Sequence, residues 1–132
     1  MRFVRNFGLH QPDRTPCGQP LPVCEAHAMV EIAREGQIRQ VELARRLRLE
    51  KSSVSRLVTN LVNRGWVHRE TAEGDGRGVL LLLTAAGTTA AARQADARRA
   101  RLTALLDRVP DDQRASVVRA LQTLAEATGE PF

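Results

Sequence analysis

The sequence predicts a mainly α-helical chain carrying one small β-hairpin, and three observations predict it. Apolar residues recur at helical spacing in three successive segments between Val23 and Arg64. Two short runs of β character, Trp66–Glu70 and Gly78–Leu83, flank the Gly- and Asp-rich stretch Thr71–Arg77. Two further helical segments then follow, one rich in Ala and Arg and the other opened by Pro110. At 132 residues, 42% hydrophobic and 27% charged, the chain has the length and composition of one ordinary globular domain.

Each element has its own local reason. In residues 1–22, Pro12, Pro16, Pro20 and Pro22 with Gly8 and Gly18 exclude a continuous helix beyond about Gly8. Met1–Phe7 reads as the last two turns of a helix. From Val23, the spacing of Ala26, Met29, Val30 and Ala33 predicts an amphipathic helix ended by Gly36. A shorter helix runs from Gln40 to about Leu47 with Leu43, Ala44 and Leu47 inward, and Arg48–Glu50 makes a turn. A third helix spans about 52–64, where Val54, Leu57, Val58, Leu61 and Val62 form its apolar stripe and Gly65 closes it. The hairpin of residues 66–83 comes next, and Thr84 caps a long helix to about Arg108. Pro110, Asp111 and Asp112 start the last helix, with Val117, Val118, Leu121, Leu124 and Ala125 on one face. The organisation is therefore an N-terminal segment 1–22, a helical unit with its hairpin at 23–87, and C-terminal helices at 88–132.

Two short helices joined by a tight turn and followed directly by a hairpin describe a winged helix-turn-helix, in which the second helix is presented to a groove. The exposed positions of that helix are Ser52, Ser53, Ser55, Arg56, Thr59, Asn60, Asn63 and Arg64, and none is acidic. Ser and Thr approach phosphates and base edges closely, while Arg and Asn can make bidentate base contacts. The chain carries a formal charge of +5, and Gln40–Arg77 holds eight basic against five acidic residues. Lys51 to Arg69 contains no acid at all. The basic excess lies where a duplex would sit, which points to double-stranded DNA as the partner.

Other classes lack their signatures. No apolar run approaches the roughly 20 residues of a membrane span, and no secretory leader is visible, so the expected location is the cytoplasm. With no Tyr, one Trp and three Phe, stacking on single-stranded nucleic acid has few platforms. No nucleophile–base pair, Gly-rich phosphate loop or paired carboxylate marks an enzyme. The remaining competitor is a winged helix used for protein–protein contacts without specific DNA binding.

Gln40–Leu47, Ser52–Val58, Leu61, Arg64–Val67, Asp75–Leu80, Leu83–Thr84 and Gly87 resemble the MarR family, the multiple-antibiotic-resistance type of bacterial transcriptional regulator. The resemblance covers about Val23 to Gly87, and its most specific part is Asp75-Gly76-Arg77 following Arg64-Gly65-Trp66-Val67. It implies a homodimer formed through the terminal helices, reading a pseudo-palindromic operator, commonly as a repressor released by an effector. By carry-over, the helix at 52–64 enters the major groove with Ser52, Ser53, Ser55 and Arg56 closest. Arg77 reaches the minor groove, Asp75 holds it by a salt bridge, and Arg69 meets the backbone. The chain departs from the family's pattern in its short first helix and at Arg39, where a Ser or Thr cap is usual.

His10, Cys17, Cys24 and His27 cluster before and within the first long helix. Cys24, His27 and Glu31 share a helical face there, which offers ligands for Zn²⁺ or another metal, or a thiol switch. Cys17-x6-Cys24-x2-His27 is not a structural zinc spacing, and two cysteines are too few for a disulfide scaffold. No cofactor is required by the reading. The effector is left among small molecule, metal and oxidant.

Overall fold

The computed structural model describes residues 1–71, 74 and 78–129. Helix α1 (Arg2–Phe7) stops at Gly8, whose left-handed φ of 94° lets its backbone N–H return to Arg5 and Val4. The Pro-rich segment then leads to buried Leu21 and to helix α2 (Val23–Glu35).

The inward face of α2 is Glu25, Ala28, Met29 and Ile32, not the expected Ala26, Met29, Val30 and Ala33. The stripe is rotated by one residue. Burying Ile32 in place of Ala33 removes more apolar surface from water, at about 25 cal/mol per Å², so the two large side chains set the phase. Glu25 is carried inward with them and needs partners.

After Gly36 the chain forms a strand absent from the sequence reading, β1 (Gln37–Arg39), with Ile38 buried between two exposed neighbours. Three residues are too few to show alternation, so the strand is visible only through its partner. It pairs antiparallel with the central strand, setting Ile38 opposite Leu81. The expected lone hairpin is thus a three-stranded sheet of order β1-β3-β2, with β2 (Val67–Thr71) and β3 (Val79–Leu83) antiparallel.

Helix α3 (Gln40–Leu47) begins at Arg39 with no side-chain cap, and Arg48 ends it in the left-handed region at φ 54°. Helix α4 (Lys51–Asn63) buries Val54, Leu57, Val58 and Leu61, while Val62 stays exposed at the edge of the stripe. Met29, Ile32, Leu43, Val54, Val58, Leu61 and Leu81 are fully buried and form one core shared by α2, α3, α4 and the sheet. That core leaves the outer flank of α4 in solvent.

A charged clamp ties α2 to α3. Arg46 pairs with Glu31 at 3.0 Å, Glu35 at 2.6 Å and Glu42 at 2.9 Å, and Arg45 pairs with Glu42 at 2.6 Å. Hydrogen bonds donated by Arg45 and then Arg46 hold the Glu42 carboxyl down to about 2 from 4.5. A carboxyl more acidic folded than unfolded stabilises the fold above its ordinary value, and that contribution fades as pH falls toward the folded value. Thermal midpoints of the native chain should therefore fall more steeply than those of Glu42→Gln between pH 4.5 and about 2. Parallel pH profiles would contradict the pairing of Glu42 with Arg45 and Arg46.

Helix α5 (Ala85–Leu106) and helix α6 (Asp111–Gly129) complete the chain. The contacts divide the molecule into Met1–Arg98 and Arg99–Phe132. Within the second unit Arg114 closes the turn between the helices, donating from Nε to the Leu106 carbonyl at 2.8 Å and pairing with Asp111 at 2.7 Å. Helix α6 buries none of its residues, and its Val118, Leu121 and Leu124 are exposed. Among the described residues no helix is long and apolar enough to cross a membrane.

Candidate nucleic-acid interface

Helix α4 is anchored by four apolar residues on one side and offers Ser52, Ser55, Arg56, Thr59 and Asn63 on the other, with half-buried Ser53 and exposed Asn60 at the boundary. The turn Arg48–Glu50 sets its start beside α3, which is the helix-turn-helix arrangement the spacing predicted. Arg56 stands exposed near its middle.

Two groups of hydrogen bonds fix the pose of this helix. On one flank, Arg69 of β2 donates from Nη2 to the Ser55 carbonyl at 3.1 Å and to Thr59 Oγ1 at 2.8 Å. Thr59 Oγ1 in turn donates to the same Ser55 carbonyl at 2.9 Å. Arg69, expected at the DNA backbone, forms a strut between the first wing strand and α4. On the other flank, Asn60 donates from Nδ2 to Glu25 Oε1 at 3.1 Å, and Arg64 Nε lies 3.2 Å from Glu25 Oε2. The Arg64 guanidinium sits 5.1 Å from the centre of the Trp66 ring, within cation–π range.

The end of α4 is joined to α5 by a tight splice. Thr84 Oγ1 accepts from the Gly87 N–H at 3.0 Å, the expected cap, and donates to the Gly65 carbonyl. The Thr84 N–H donates to the Trp66 carbonyl at 3.0 Å. A Cβ on Gly87 would fall 1.9 Å from that carbonyl oxygen, so only glycine allows the approach.

The structure brings Ser52, Ser53, Ser55, Arg56, Asn60 and Arg69 onto or beside one helix. Asp75 and Arg77 lie outside the described residues. Cys24 and His27 are exposed on α2 and Cys17 is half-buried in the loop before it. His27 shares a shallow cavity of about 320 Å³ with Glu31, Arg46 and Arg98, where Glu31 is paired to Arg46. Among the described residues no three His, Cys, Asp or Glu side chains gather as a metal-binding group.

Glu25 is the residue the sequence did not single out, and Trp66, named there only within the Trp66–Glu70 and Arg64–Val67 stretches, gains its contact with Arg64 from the structure. A signal existed: the stripe 25, 28, 29, 32 contains one acidic residue among three apolar ones, the mark of a buried charge with waiting partners.

The family model described as MarR family matches residues 20–78. An uncharacterized HTH-type transcriptional regulator of Mycobacterium leprae (strain TN) is 30% identical over 109 residues, covering 83% of this chain and 71% of that protein. The chain belongs to the MarR family. Among solved MarR-type folds, the PcaV transcriptional regulator from Streptomyces coelicolor superposes with a TM-score of 0.77 at 20% identity, over 96% of this chain and 92% of that one. The reduced form of MarR from Escherichia coli gives 0.71 at 24% identity, over 79% and 77%. This MarR-family regulator thus has the mostly helical fold with a small antiparallel sheet that those structures share. Its DNA-binding module is the winged helix-turn-helix built around α4.

Proposed function

We propose that this MarR-family protein binds a pseudo-palindromic operator sequence-specifically as a homodimer, represses transcription there, and is released by an effector. The observation that carries the reading is the outer flank of α4, where Ser52, Ser53, Ser55 and Arg56 lie in a stretch free of acid from Lys51 to Arg69. Small hydroxyl residues permit close approach, and Arg56 supplies a fork able to engage a guanine edge. Arg77 is assigned to the minor groove with Asp75 as its salt-bridge partner. Arg69 meets the phosphate backbone while bracing α4. Self-association is assigned to the terminal helices, and the exposed apolar residues of α6 support it. Repression is favoured by a structural relative named a multiple antibiotic resistance repressor. The effector is a small molecule, a metal such as Zn²⁺ or an oxidant, the last two acting at Cys17, Cys24 and His27.

Hydroxyl-radical footprinting on the gene's own upstream DNA tests the homodimer reading. Two protected half-sites, centred about 10 base pairs or a multiple apart, are expected from one recognition helix per protomer. A single protected half-site would remove the symmetric dimer from the account. Absence of any protection would favour the protein–protein module.

A further inference from the structure

We infer that Glu25, on α2 and away from the outer flank of α4, is a positioning residue for DNA recognition, acting through Asn60 and Arg64. The inference rests on the reading of α4 as the recognition helix.

Glu25 is 3% exposed, an unusual site for a carboxylate. The partners its two oxygens face come from α4 and its C-cap. Oε1 accepts from Asn60, and Oε2, which has no aligned hydrogen bond of its own, faces Arg64 Nε at 3.2 Å. Both partners stand in the last turn of the helix or at its cap. An ionised carboxylate buried without such partners carries a large desolvation penalty, so α2 holds the end of α4 in one azimuth. Arg64 also covers the Trp66 ring, which leads into β2, so the same charge sets where the wing leaves the helix. Asn60 and Arg64, read from sequence as groups facing DNA, are turned instead toward α2. A rotation of α4 that displaced Ser55 and Arg56 from a groove would first have to break this pair of contacts.

The test uses Trp66, the chain's single Trp, as a local reporter. Glu25→Gln keeps the shape and an acceptor for Asn60 but withdraws the charge that holds Arg64 over the indole. In folded Glu25→Gln the Trp66 emission should shift. Preference for the upstream duplex over an unrelated one should fall about tenfold, the scale of one charge-assisted contact. The salt slope on the unrelated duplex should stay as in the native chain, because Glu25 touches no phosphate. Asn60→Ala should lose a similar preference, and the double variant should lose no more than either single one.

Additive losses would place Asn60 on the bases and overturn the assignment. An emission spectrum of Glu25→Gln equal to that of the native chain would overturn it as well, whatever the DNA result. Should Glu25→Gln not fold, Asn60→Ala and Arg64→Lys, at exposed positions, carry the readouts: Arg64→Lys should shift the emission and both should lower the preference, and failure of either expectation sinks the proposal. A native chain that binds both duplexes equally defeats the recognition-helix reading itself and with it any role of Glu25 in specificity, while the emission arm still decides whether the contact exists.

Discussion

Gly87→Ala is expected to destabilise the fold by about 3 kcal/mol, the upper end of what overpacking a tight contact costs. The added Cβ would lie 1.9 Å from the Trp66 carbonyl oxygen and 2.8 Å from its carbonyl carbon. Both are backbone atoms, so no side-chain rotation relieves the overlap. Either α5 lifts from the turn after α4 or Trp66 moves, and the second course disturbs Arg64 and the start of β2. The splice that enforces this closeness is the Thr84 N–H on the Trp66 carbonyl with Thr84 Oγ1 shared between Gly65 and Gly87. Urea unfolding followed by circular dichroism measures the loss. A change under about 1 kcal/mol at unchanged m-value would mean that the backbone yields and the splice is loose.

Arg56→Ala has the second large expected effect, on recognition and not on stability. The residue is exposed on the outer flank of α4, and its removal leaves the buried stripe Val54, Leu57, Val58 and Leu61 untouched. The fold should therefore melt as the native chain does. Affinity for the cognate duplex should fall by about 1 to 3 kcal/mol, as for the loss of one bidentate base contact, and discrimination should relax at one position of each half-site. A uniform loss across all sequences would assign Arg56 to phosphates instead, with a salt slope shallower by about one. Titrations of the variant on cognate and base-substituted duplexes separate the two.

Much of this arrangement is legible from the residues alone. Helix α3 has the boundaries that its apolar spacing and the Arg48–Glu50 turn imply, and α4 begins one residue earlier than expected. Thr84 and Gly87 stand out in the sequence as a cap and a glycine, and the structure supplies the reason for both. What stayed hidden is what depends on distant partners. Strand β1 is three residues long and owes its existence to Leu80, Leu81 and Leu82 on the far side of the chain. The phase of α2 turns on burying Ile32, and a periodicity that rejects charged positions passes over Glu25. Asn60 and Arg64 look like DNA-facing groups because exposure on one helix is legible, whereas the carboxylate that claims them lies 35 residues before Asn60.

Helix α4 is expected to read duplex DNA by sequence. The most direct measurement is fluorescence anisotropy of a labelled duplex from the gene's own upstream region, titrated with reduced protein at two salt concentrations beside an unrelated duplex. Tight binding to the upstream duplex is expected, with the preference persisting at the higher salt where non-specific binding fades. Equal, strongly salt-dependent binding to both duplexes, or none to either by folded protein, would contradict it.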